Sequence, residues 1–242
     1  MRLSIKELWT IYSNHLQMGG LDAGTSADIA DMLIWMHRHG FDAASPIALR
    51  ARDSVSPSGQ NGIERMRQGS TLVLRSRQRT LLTTAPAVFD LAVDACRRSG
   101  CDSVRLSGFR DLELVPGLGA FASSRGVEVD IQWRDVNRSW RLTVRDEGRR
   151  VGIGWSPAVP AVDTTTPDPV LRFPGSGNPW QPEACTTAAG ENDMVVLDES
   201  DSADGISLDD KHWQALRASA ERMLVPESET SRSRGAGAGA DD

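Results

Sequence analysis

Ser103-Val-Arg-Leu106, Pro116-Gly-Leu-Gly-Ala-Phe-Ala-Ser-Ser-Arg125 and Val127-Glu-Val-Asp-Ile-Gln-Trp133 decide the fold. Ser103–Leu106 alternates polar and apolar residues, as a half-buried strand does, and Val127–Trp133 repeats the pattern. Between them, Pro116 opens a helix that runs to Arg125, because the fixed φ of proline suits a first helical turn. Strand, helix and strand in this order predict a parallel pair joined by a right-handed crossover. Upstream, Thr71–Leu74 reads as a further strand. Pro86 begins another helix with Phe89, Ala92, Val93 and Cys96 on one face, and Gly100 closes it. Downstream, Trp140-Arg-Leu-Thr-Val144 and Val151-Gly-Ile-Gly-Trp155 alternate around a Glu147-Gly148 turn, which predicts an antiparallel hairpin.

Working outward, the first fifty residues carry helix-end signals. Ser4-x-x-Glu7 is a capping box, in which each side chain satisfies a backbone donor of the first turn. Ile5, Leu8, Trp9, Tyr12 and Leu16 follow at helical spacing, and Gly19-Gly20 supplies a left-handed stop. A second helix starts near Thr25 or Ser26, buries Ile29, Met32, Leu33 and Met36, and ends at Gly40. Pro46 suits the first position of a short third helix. Ser54–Gly62 is turn-forming. Residues 156–190 are rich in Pro, Thr and Gly and read as a long surface excursion, with one short strand at Val170–Phe173. Met194–Leu197 reads as a strand, and Trp213, Leu216, Ala220 and Met223 line a last helix ended by Pro226.

The fold class expected is therefore α+β. A helical lobe over residues 1–53 precedes a mixed α/β domain over 63–225. That domain has a small mixed sheet with flanking helices, the loop 156–190 and a C-terminal helix. Residues 226–242 form a flexible tail without one large apolar side chain.

Composition narrows the function classes. The 242 residues, 39% hydrophobic and 25% charged, suit a globular chain that buries a core. No apolar run approaches the roughly 20 residues of a bilayer span, and charge at Arg2, Lys6 and Glu7 argues against a signal peptide. Cys96, Cys101 and Cys185 have no CxxC spacing and suit a reducing cytosol, so a cytoplasmic location is expected. The net charge of −6 is unevenly spread. Residues 151–242 carry sixteen acidic and six basic side chains, and Glu183–Asp210 has nine carboxylates with no Lys or Arg. That run reads as a solvated loop, with a contact to Arg65, Arg67, Arg75, Arg77 and Arg79 as the alternative.

No set of residues converges on a familiar chemistry. His15, His37, His39 and His212 lack the spacing of a metal site, and His37 and His39 point apart on a helix. Cys96 and Cys101 read as buried thiols, with a redox pair as the alternative. Gly117-Leu-Gly-Ala-Phe-Ala122 matches the loose G-x-G-x-x-A dinucleotide pattern, yet does not directly follow a strand as that fingerprint requires. A helix start after Pro116 explains the same glycines. Gly152-Ile-Gly154 marks a bulge or a close backbone approach in a strand. Neither a G-x-S-x-G elbow nor a P-loop is present, and Asp209-Asp210 and Asp241-Asp242 cap a helix or solvate a terminus. Strand alternation places Arg75, Arg77 and Arg79 on one face, a basic stripe that would suit phosphates. The acidic balance of the whole chain speaks against nucleic acid. No catalytic residue and no metal ligand is assigned, and the cofactor is left open.

The ending Val225-Pro-Glu-Ser-Glu-Thr-Ser-Arg-Ser-Arg-Gly-Ala-Gly-Ala-Gly resembles the C-terminus of an uncharacterised, mostly proteobacterial family. Leu3-Ser-Ile-Lys-Glu-Leu8, Gly19-Gly20 and Trp35-Met-His-Arg-His-Gly-Phe-Asp42 follow that family's order. Its common Leu-Thr-Asp-Asn-Asp-like finish is replaced here by Ala240-Asp241-Asp242. The resemblance makes Arg232, Arg234, Gly235, Gly237 and Gly239 candidate partner contacts. The helix–strand–helix–strand layout of Pro86–Trp133, after two starting helices, also resembles the malate/L-lactate dehydrogenase family with a non-classical NAD-binding fold. That family carries Ser-His-Gly after its second helix and Asn-His-Phe-Gly after a strand. The matching places read Ala43-Ala44-Ser45 and Ser107-Gly108-Phe109-Arg110. Both histidines are missing, which implies that hydride chemistry by that mechanism fails.

Three functions from different classes follow. The first is a non-catalytic protein that binds a small molecule or a protein partner. The second is a metabolic enzyme with an unrecognised site, a divergent NAD(P)-dependent dehydrogenase relative among the options. The third is a nucleic-acid contact through the arginine stripe.

Overall fold

Local signals set the helix ends in the computed structural model, which describes residues 2–44, 62–135, 138–157, 168–173, 195–197 and 205–220. After strand β1 (Arg2–Leu3), helix α1 (Ile5–Met18) opens with the expected capping box, Ser4 N donating to Glu7 Oε2 at 2.9 Å and Glu7 N to Ser4 Oγ at 3.2 Å. Gly20 takes a φ of 93° after it. Helix α2 (Ala23–Arg38) starts earlier than Thr25 or Ser26, because Asp22 accepts from Thr25 N at 2.9 Å and so caps it first. The third helix expected at Pro46 lies outside the described residues.

Strands β2 (Glu64–Gln68) and β3 (Thr71–Arg75) form a hairpin, of which the sequence signalled only the second arm. Helix α3 (Leu81–Ser99) begins five residues before Pro86. Thr80 caps it by accepting from Leu82 N at 3.1 Å, and buried Leu81, Leu82, Thr84 and Ala85 anchor a first turn that propensity alone did not mark. Pro86 sits inside the helix at the cost of one ladder hydrogen bond, and Gly100 ends it in the left-handed region, as expected. After β4 (Ser103–Ser107) comes a 3-10 helix (Leu112–Gly117) that runs into α4 (Leu118–Ser124), so the expected Pro116–Arg125 helix is two elements with an earlier start.

The remaining strands are β5 (Val129–Arg134), β6 (Arg138–Arg145), β7 (Arg150–Pro157), β8 (Val170–Arg172), β9 (Val195–Leu197) and β10 (Ile206–Ser207), followed by α5 (Asp210–Ala220). The β6–β7 hairpin matches the expectation, with Trp140 opposite Trp155 and unbroken register through Gly152 and Gly154. β1 pairs with β10 in a small second sheet, and the main sheet runs β2-β3-β4-β8-β5-β6-β7-β9. The fold is α+β.

Two expectations about the sheet are corrected. β4 and β5 do run parallel to each other, but they are not paired. β8 lies between them, antiparallel to both, with Leu171 opposite Val104 on one side and Ile131 on the other. The parallel pair is β3–β4, connected through α3. Residues 168–173 are thus no surface excursion, since Leu171 is fully buried at mid-sheet. The arginine stripe also fails, because β3 ends at Arg75 and leaves Arg77 and Arg79 in the following loop.

One face of the sheet carries Leu74, Leu106, Leu171, Ile131 and Leu142, all fully buried in the apolar cluster that also takes Leu8 and Tyr12 of α1 and Met32 of α2. On the other face Asp130, 3% exposed, accepts both ends of Arg141 at 2.8 Å and Arg145 Nη2 at 3.1 Å. Among the described residues no helix is long and apolar enough to cross a membrane.

Candidate functional site

Four non-glycine residues among those described hold a positive φ: Gln78, Asp111, Asp146 and Glu147. Such conformations cost free energy and collect where the surrounding structure imposes them, often at functional clefts. Gln78 lines one of two cavities, and Asp146 and Glu147 directly precede Gly148, which lines the other.

The first cavity opens at the C-terminal ends of the parallel strands β3 and β4. The loops leaving these strands are laced together by Ser76 N to Ser107 O at 2.8 Å, Gln78 N to Gly108 O at 2.9 Å and Arg110 N to Arg79 O at 2.8 Å. Gly108, with φ 70°, lies so close to the Ser76 carbonyl that a Cβ would collide with it. Thr80 Oγ1 donates to Asp111, a 4% exposed carboxylate, and fixes the second loop against the start of α3. The crevice holds about 490 Å³ between Arg75, Ser76, Arg77, Gln78, Ser107 and Gly108. Glu64 at its rim pairs with Arg77 at 3.1 Å. In open parallel α/β sheets ligands settle outside the carboxyl ends of the strands, and the crevice lies at that end of β3–β4, the parallel pair of this mixed sheet.

The second cavity, about 1090 Å³, separates α2 from the C-terminal end of α4 and the β6–β7 turn. Asp28, Asp31, Trp35 and Arg38 recur along α2 at helical spacing, and Arg149 and Arg150 face them from the turn. That spacing is the signal the sequence carries for this face, and by itself it does not distinguish a cavity wall from the solvated side of an amphipathic helix.

The residues singled out by sequence take other roles. Gly117 and Gly119 are packing glycines: an added Cβ would stand 2.7 Å from Met32 Cγ at the first and 2.7 Å from Leu142 Cδ2 and 2.8 Å from Trp35 Cη2 at the second. They let α4 lie close on α2 and the sheet, which accounts for the dinucleotide-like pattern. His37 Nε2 and the hydroxyl of fully buried Tyr12 are hydrogen-bonded at 2.7 Å, a pair the sequence does not reveal. Burial holds the His37 pKa down, to about 4, against an opposing pull from Asp42, and raises that of Tyr12. The bond therefore joins a neutral phenol to a neutral imidazole. His15 is also buried and its pKa lowered by that burial, whereas His39 Nδ1 bonds Trp35 O at 2.9 Å. Cys96 and Cys101 are buried free thiols, and burial pushes Cys96 up to about 12, which makes it a poor nucleophile at neutral pH. Among the described residues no cluster of three His, Cys, Asp or Glu could hold a metal. Arg232, Arg234, Gly235, Gly237 and Gly239 lie outside the described residues.

No family model and no curated protein matches the chain, so the resemblance to the uncharacterised bacterial family has no support there. Solved structures do match. A protein from E. coli provisionally assigned as a malate/lactate dehydrogenase superimposes with a TM-score of 0.61 at 11% identity, over 96% of this chain and 98% of that one. A dehydrogenase from Sinorhizobium meliloti gives 0.58 at 10% identity, over 91% and 99%. At such identities the likeness is one of fold, and it agrees with the malate/L-lactate dehydrogenase layout read from Pro86–Trp133.

Proposed function

We propose that the chain is a non-catalytic binding protein built on a dehydrogenase-type fold, taking a small carboxylate- or phosphate-bearing molecule in the strand-end crevice. One observation carries this. The places where the resembled dehydrogenase family has its motif histidines are here filled by Ala44, which is 2% exposed, and by Gly108. Neither can give or take a proton, while Arg75 and the Glu64-paired Arg77 line the crevice with Gly108 and supply positive charge for an anion. Tyr12 does not fill the gap, because it is sealed in the core away from any substrate.

The second reading is an NAD(P)-dependent enzyme with a different proton donor, favoured by the likeness to the E. coli and Sinorhizobium meliloti structures. One experiment separates the two. Full-length protein is titrated calorimetrically with malate and with inorganic phosphate, and then assayed with malate plus NAD(P) and with pyruvate plus NAD(P)H. Binding of at least one anion without protein-dependent change in the nicotinamide signal is expected. Turnover would replace the binding-protein reading with the enzyme one, and the absence of any anion binding would remove it.

A further inference from the structure

The cavity between α2 and the β6–β7 turn is lined by both signs of charge: Asp28 and Asp31 on α2, Arg38 two turns further along the same helix, and Arg149 and Arg150 on the turn. On α2, Asp28 and Asp31 are one turn apart and exposed, and Asp31 is held by Trp9 Nε1 at 2.8 Å. Across from them, Arg149 and Arg150 are exposed on a turn that is not free to relax. Asp146 and Glu147 have φ values of 53° and 55°, and Gly148, at 89°, lies so tightly on the Ser123 backbone that no side chain fits there. The turn is thereby seated on the end of α4 and its two arginines are preorganised. Trp35 and Phe121 line the space between. Arg125 stacks over Phe89 and Phe121 at 5.4 Å from each ring and is tied to Asp90. The Ser123 hydroxyl in this wall is buried without a hydrogen-bond partner.

We propose that this cleft binds a short linear zwitterion, with an ammonium group at one end and a carboxylate at the other. A simple anion uses the arginines and leaves Asp28 and Asp31 unmatched, and a simple cation does the reverse. A molecule with both charges matches both sets, so the site favours it over either. Along α2 the acidic and basic ends of the lining, Asp31 and Arg38, are separated by a rise of about 10 Å, roughly the length of an extended tripeptide. The volume of about 1090 Å³ is ample for such a ligand. The site is separate from the strand-end crevice, and its test leaves that crevice untouched.

Calorimetric titration of the full-length protein with triglycine, N-acetyltriglycine and triglycinamide removes one terminal charge at a time. Triglycine binds saturably, and each capped form binds at least about tenfold more weakly. Substituting Arg149→Ala and Arg150→Ala together weakens triglycine to the level of triglycinamide. Substituting Asp28→Asn and Asp31→Asn together abolishes the preference over N-acetyltriglycine. All four positions are exposed, so unchanged thermal unfolding confirms that the variants fold. Absence of saturable triglycine binding, equal binding of the three peptides, or unchanged affinity in the arginine variant overturns the proposal.

Discussion

The Tyr12–His37 pair shows how one buried bond ties stability to pH. The folded pKa of His37, about 4, lies below the ordinary 6.5, so the folded state binds fewer protons between those values. Stability from this group is complete above pH 6.5 and is lost as pH falls toward 4. His15, shifted the same way by burial, adds to the loss. Unfolding free energy from urea titration is expected to fall by about 2 kcal/mol for His37 alone between pH 7.5 and pH 5. His37→Gln should flatten the slope, and a wild-type profile that is level over this range would contradict the assignment. The glycines of α4 give a second test. Gly119→Ala forces a Cβ against the rigid Trp35 ring and Leu142 and should cost about 1–3 kcal/mol. Gly117→Ala meets the flexible Met32 side chain and should cost less. Equal costs would show that the packing account of these glycines is wrong. At this scale the sequence was legible where a residue acts on its own neighbours, as in the Ser4–Glu7 box. It was illegible where partners come from separate elements, as with Tyr12 and His37, or Trp35 and Gly119.

Among elements, β8 is the most consequential and the least visible. Three residues, Val170–Arg172, carry too little periodicity to distinguish a central strand from a strand on a surface loop. Their position becomes plain only when β4 and β5 are found parallel and a strand's width apart. Leu171→Ala removes a fully buried side chain that packs between Val104 and Ile131, and should cost about 2–5 kcal/mol by chemical denaturation. A cost below 1 kcal/mol would mean that β8 is not integral to the sheet. The hairpin β6–β7 was readable because its signal is local: alternation in both arms and a glycine turn. The start of α3 differs from the one Pro86 marks, because the Thr80 cap and the buried leucines that follow it outweigh that local cue.

For the whole molecule, the layout of Pro86–Trp133 was enough to suggest the dehydrogenase-type fold that the superpositions support, though not the order of its sheet. The two cavities were harder to foresee. The crevice depends on loops laced together from residues thirty apart, and the cleft depends on three elements meeting. What separates this chain from the resembled family is chemical: Ala44 and Gly108 stand where that family's two motif histidines are expected. The measurement that bears most directly on the proposed function is calorimetric titration of malate and phosphate into wild-type protein and an Arg75→Ala, Arg77→Ala double variant, with nicotinamide turnover followed in parallel. The account predicts saturable binding to wild type, at least about tenfold weaker in the variant, and no turnover in either. Binding that ignores the two arginines, or protein-dependent consumption of the nicotinamide cofactor, would contradict it.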